Sequence, residues 1–187
     1  MRHRRKGRVL GRSPSHRKAL LKNLASAIFL TERDAEGEAN APKVPGRIVT
    51  TLPKAKEVRG LVEKCITIAK KTLPAAEQAA QFATSEKRGS DGYKKWRESD
   101  QWQQWAAARA PVVTARRRVI QLIGDKKAAA VLFDKVAVRF VDRPGGYTRI
   151  VRLATPRLGD AGTRAILEFV GKNDRSKKKK SEKPSFE

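Results

Sequence analysis

The chain has 187 residues and carries 43 Lys and Arg against 19 Asp and Glu, a formal net charge of +24. That length fits one domain with additions, and 39% hydrophobic residues can build one modest core. The charge favours polyanions, nucleic acid ahead of an anionic membrane surface, while no run approaches the roughly 20 apolar residues of a membrane span.

From Arg2 to Lys18 there are eight Lys or Arg residues and no Asp or Glu. Residues 1–14 read as an extended basic arm with little to bury. They lack the apolar core of a signal peptide, and Gly7, Gly11 and Pro14 argue against an amphipathic presequence helix. Ser15 is a plausible N-cap, and Leu20, Leu21, Leu24, Ala25 and Ile28 follow helical spacing to about Leu30. His16, Arg17, Lys22, Asn23 and Ser26 fall on the polar side of that helix.

Residues 33–46, "RDAEGEANAPKVPG", have no period and read as a flexible surface loop. "RIVTT" then predicts a strand over 47–51. Thr51 can cap the next helix, with Pro53 in its first turn. Val58, Leu61, Val62, Cys65, Ile66 and Ala69 form its apolar stripe, and Lys54, Lys56, Arg59, Lys64 and Lys70 lie off it.

Residues 73–110 hold six basic and five acidic residues and all three tryptophans, Trp96, Trp102 and Trp105. That composition predicts an inserted, partly helical element packed by its aromatics. A helix is expected from Val112 to a stop at Gly124, followed by one capped by Asp125 that buries Ala129, Leu132, Phe133, Val136 and Phe140. "YTRIVRL" and "RAILEFV", bounded by "RPGG" and "RLGDAGT", read as an antiparallel pair, the glycines supplying a hairpin turn. Residues 171–187, low in hydrophobics with "KKKK" at 177–180, read as a basic disordered tail. The expected fold is thus a small α+β domain over 15–170. It has about four helices and a short mixed or antiparallel sheet, with the basic arm and the insertion as additions.

A search for catalytic chemistry finds little. One Cys on a helical stripe reads as a buried thiol, excludes an intramolecular disulfide framework and fits a reducing compartment. Two His among Arg and Lys suit RNA better than a metal, and no spaced carboxylate pair stands out. No enzyme, metal, cofactor or small-molecule substrate is expected. The basic features say more. The Gly and Arg mixture of the arm lets backbone approach phosphates while guanidiniums make paired contacts. Tyr147, Arg149 and Arg152 beside Gly145 and Gly146 add a stackable ring and two forks. "ARRR" at 115–118 spreads charge around its helix.

"MRHR", "HRKALLKNLA", "TTLPKAKE" and "GGYTRI", in that order, resemble the bacterial large-subunit ribosomal protein L17 family. The resemblance implies a cytoplasmic, non-enzymatic protein that binds large-subunit rRNA, adjoins other ribosomal proteins and stabilises the particle. It implies rRNA contacts from Arg2, His3, Arg4, Arg5, Lys6, Arg8, Arg12, His16 and Arg17. Lys54 and Lys56 of "TTLPKAKE", Gly145, Gly146, Tyr147 and Arg149 of "GGYTR", and Arg152 beyond it complete the expected set. Segments 33–46, 73–110 and 171–187 depart from the family pattern. Trp96, Trp102 and Trp105 then suggest either a contact with a neighbouring ribosomal protein or packing of the insertion on itself. An architectural nucleic-acid-binding protein outside the ribosome is the alternative, but a generic basic protein has no reason to carry the four motifs in order.

Overall fold

The computed structural model describes residues 7–171, so expectations placed on residues 1–6 and on the tail from 172 lie outside it. Helix α1 spans Pro14–Leu30, and its cap is Ser13 rather than Ser15: Ser13 Oγ accepts from the His16 N–H at 3.4 Å. Pro14 explains the shift, because a residue without an N–H and with its φ preset belongs at the first helical position. Ser26, expected on the polar side, is buried, and its hydroxyl donates to the Ile123 carbonyl at 3.2 Å.

The stretch 33–46 is free of helix and strand, as its composition required. Arg33 organises it, reaching Glu38 Oε2 at 2.9 Å, the Asn40 carbonyl at 3.0 Å and the Asn40 side chain at 2.6 Å. Strand β1, Arg47–Thr51, leads directly into α2, Leu52–Lys70. Thr51 holds the cap position, but its side chain makes no capping bond; the Leu52 N–H goes instead to the Thr163 carbonyl at 3.0 Å. Val58, Val62, Cys65, Ile66 and Ala69 of the predicted stripe are fully buried, and Leu61 is half-buried.

Helices α3, Leu73–Gln81, and α4, Asp91–Glu98, precede a long α5, Asp100–Ile123. The helix expected to begin at Val112 therefore begins twelve residues earlier and runs through Pro111. Proline in a helix interior removes one backbone bond, here the one the Ala107 carbonyl would accept, and normally breaks the helix. Packing of α3 and α4 along α5 holds the preceding turns in place. Gly124 ends α5 in the left-handed conformation (φ 78°), its N–H returning to Ile120 at 2.7 Å. Asp125 then caps α6, Lys126–Val131, accepting from the N–H groups of Lys127 and Ala128 at 2.8 and 3.2 Å. A π-helical turn, Leu132–Val136, carries the chain into α7, Ala137–Arg139.

Strands β2, Thr148–Arg152, and β3, Arg164–Phe169, pair antiparallel as expected, and β1 pairs antiparallel with the far side of β3. The order β1–β3–β2 makes the sheet wholly antiparallel, with β3 central. The "RPGG" turn joins α7 to β2, not strand to strand, and only Gly146 of its two glycines has a positive φ (61°). Between β2 and β3 the loop is closed by Arg157, which pairs with Asp160. That guanidinium, with the Gly162 N–H, holds the Asp160 carboxyl well below the usual carboxylate range.

The inner sheet face, Ala165, Leu167 and Phe169, shares one core with α1, α2, α5 and the α6–α7 run. Phe29 stacks on Phe169 with centroids 6.0 Å apart, and Phe140 meets Phe169 edge-on at 6.1 Å. The expected α+β class holds, and those four helical runs account for the expected core helices, with α3 and α4 coming from the 73–110 segment.

Candidate nucleic-acid interface

The first turns of α2 leave the β1 edge beside β2, which brings the two basic segments together. Lys56 and Arg59, one helical turn apart on α2, line a cleft of about 560 Å³ with Arg149 and Arg152 of β2. Leu52 and Ile150 give the cleft an apolar floor. The cationic side chains of Lys56, Arg59 and Arg152 around one depression concentrate positive potential as an anionic ligand site does, and Arg forks suit phosphate oxygens. Arg149 also borders it, but its side chain turns to the other sheet face. Arg59 was read in the sequence only as off the apolar stripe. Its i, i+3 relation to Lys56 is the signal that places it in the cleft.

Arg149 is partly committed elsewhere. Its Nε donates to Glu168 Oε1 at 2.6 Å, across the strand pair in which the two residues are register partners. The Glu168 side chain is only 6% exposed, so Arg149 compensates a carboxylate that burial would otherwise penalise. Arg152, at the exposed end of β2, and Lys56, exposed on α2, are turned to solvent, and Lys54 is half-exposed.

The arm root comes to the same helix. Arg8 Nη1 pairs with Glu57 Oε1 at 2.9 Å, and a Cβ at Gly7 would sit 3.3 Å from Glu57 Oε2. Gly7 thus lets the backbone pass close to the α2 carboxylate while holding φ at 86°. Arg12 is half-buried and spends one nitrogen on the Leu10 carbonyl at 3.1 Å, while its Nε is buried without a partner among the described residues. His16 is exposed on the first turn of α1 and Arg17 half-buried. Arg2, His3, Arg4, Arg5 and Lys6 lie outside the described residues.

The "GGYTR" turn departs most from its reading. Tyr147, expected as a stackable ring, is 2% exposed and packs on Phe140 with centroids 5.2 Å apart. Lys70 covers it, 5.9 Å from the ring centroid, and donates to the Arg143 carbonyl at 2.5 Å. Arg143 Nε in turn donates to the carbonyls of Gly145 and Gly146, both at 3.1 Å. An aromatic next to a glycine turn and two arginines looked available for stacking, but its ring is taken up by the core against Phe140. The turn offers exposed backbone at Gly145 and Gly146, not a base platform.

On the other side of the core, Arg116 pairs with Asp134 at 2.7 Å and lies over Phe133, whereas Arg117 and Arg118 are exposed. The tryptophans are half-buried within the 73–110 segment. Trp96 Nε1 donates to the Phe82 carbonyl at 3.2 Å, its ring meets Trp105 edge-on at 5.5 Å, and Arg97 lies over Trp102. Among the described residues no cluster of His, Cys, Asp and Glu could hold a metal ion, and no helix is long and apolar enough to cross a membrane.

Residues 20–170 match the family model described as Ribosomal protein L17. The large ribosomal subunit protein bL17 of Rhodopirellula baltica is 72% identical over 187 residues, covering all of this chain and 89% of that protein. The bL17 proteins of Halothermothrix orenii and Nitratidesulfovibrio vulgaris are 34% and 35% identical. These alignments cover 87% and 91% of this chain and 96% and 88% of those proteins.

Proposed function

This chain belongs to the ribosomal protein L17 family, and on that premise we propose that it holds large-subunit rRNA through the cationic cleft between α2 and β2. The family consists of structural proteins of the large ribosomal subunit, so the chain is no enzyme and its place is the cytoplasmic ribosome. The observation that carries the rRNA reading is the convergence of Lys56, Arg59 and Arg152 on one cleft. The arm root is pinned to the same helix by Arg8 and Glu57.

The chemistry suits a phosphate backbone. Guanidinium and ammonium groups contact phosphates irrespective of base, and among the described residues no exposed aromatic lines the cleft to stack a base. RNA shape would therefore set specificity, with phosphates neutralised along the cleft and onward to the arm. Arg2 to Lys6 extend the same charge from the arm root, and His16 and Arg17 continue it on α1. Gly145 and Gly146 join as exposed backbone, and the protein's other partners are neighbouring ribosomal proteins.

Each phosphate contact releases counterions, contributing about 0.7–0.9 to the slope of log affinity against log salt. The test is filter binding of the full chain to large-subunit rRNA across a salt series. The double variant Lys56→Glu with Arg59→Glu is expected to lose about two contacts, flattening the slope by roughly 1.5 and weakening binding more than tenfold at low salt. A slope and affinity equal to the parent's would remove the cleft from the interface.

A further inference from the structure

A second depression lies on the side of α2 toward α5. Its floor is Ile68 of α2 with Ala110 and Pro111 of α5, and its volume is about 830 Å³. Lys64, Lys71 and Arg118 stand around it, all exposed and none with an acidic partner among the described residues. Lys64 and Ile68 of α2 and its C-terminal cap Lys71 are spaced i, i+4, i+7, and Ala107, Ala110, Pro111 and Thr114 i, i+3, i+4, i+7 on α5. Two helices therefore present parallel stripes to one open groove. Ala107, Ala110, Pro111 and Thr114 are exposed, so α5 is covered by α3 and α4 elsewhere but bare here.

We propose that this groove seats an amphipathic helical segment of a neighbouring large-subunit protein, with aliphatic side chains on its inner face and carboxylates on its flanks. The inference rests on the family reading given above. Charge complementarity selects the flanks: three unpaired cations around an apolar floor repel a basic segment and attract an acidic one. Chemistry of the floor selects protein over RNA. Between the rim cations it holds no ring for a base, and Pro111 denies the Ala107 carbonyl its helical donor, leaving an acceptor where a phosphate would need donors. The small side chains of Ala107 and Ala110 let a third helix approach two helices already in contact, the helix-in-groove mode.

Photo-cross-linking in native large subunits tests this. A benzophenone amino acid replaces Thr114, and separately Ala107, both exposed, in the full chain made in cells. Irradiation of purified subunits is expected to give one adduct with a large-subunit protein, mapping to an acidic amphipathic segment. The charge reversal Lys64→Glu with Lys71→Glu should lower its yield about tenfold. Adducts with rRNA, or no protein adduct from either position in subunits that contain the chain, overturn the proposal and leave the family reading standing. Absence of the unaltered chain from large subunits would overturn that reading as well.

Discussion

Cys65 lies in the middle of α2 with no exposed surface, and burial pushes its thiol up to about 12 against a weaker opposing pull from Lys64. Its ordinary value is 9.0, so the folded state binds the proton more tightly than the unfolded chain. The resulting contribution to stability is full below pH 9 and is lost as pH rises from there toward 12. The native protein at pH 8 is expected to react with iodoacetamide at least a hundredfold more slowly than after denaturation, read by mass spectrometry. Labelling at the free-thiol rate in the folded chain would show that α2 opens. Spacing alone was enough to place this residue, because a helical stripe fixes which side chains enter the core.

Arg149 and Arg152 are three positions apart on one strand, and an alternating pleat sends them to opposite faces. Arg149 faces Glu168 and Arg152 is at the exposed strand end. Arg149→Ala leaves a nearly buried carboxylate without this partner and is expected to cost about 2–3 kcal/mol in urea unfolding. Arg152→Ala is expected to stay within about 0.5 kcal/mol of the parent yet weaken rRNA binding. Equal stability of the two variants would contradict the division of roles. The sequence shows two arginines near a turn; only the register with β3 says which one a carboxylate holds.

At the scale of elements, α5 carries the instructive case. Composition set residues 73–110 apart, and the next helix was expected only from Val112, yet one helix crosses both. Propensity is a local cost of about 3 kcal/mol, which the flanking packing of α3 and α4 outweighs. That packing depends on Trp96, whose indole is bonded to the Phe82 carbonyl and set against Trp105. Trp96→Ala is expected to cost about 1–2 kcal/mol locally, less than a full core tryptophan because the ring is half-buried. Hydrogen exchange should quicken in α3, α4 and the first turns of α5 while α2 and β3 keep their protection. Uniform loss of protection would mean that the segment and core unfold together.

Across the whole molecule, β-branched residues, bounding turns and helical spacing placed β1, α2, β2 and β3 to within a residue or two. The core position of Tyr147 and the third strand pairing were not legible, because both depend on how distant segments meet. The ordered motifs told the family, and the charge told the class of partner; the cleft needed α2 and β2 to be placed side by side. A chain of net charge +24 gathers cations on many surfaces, so the decisive question is whether this particular cleft is the one used. The direct measurement is retention on large subunits sedimented through a high-salt cushion, comparing the parent chain with Arg59→Glu combined with Arg152→Glu. The account predicts that the parent stays with the subunit while the double variant, still folded by circular dichroism, is lost to the supernatant by tenfold or more. Equal retention of both chains would contradict it.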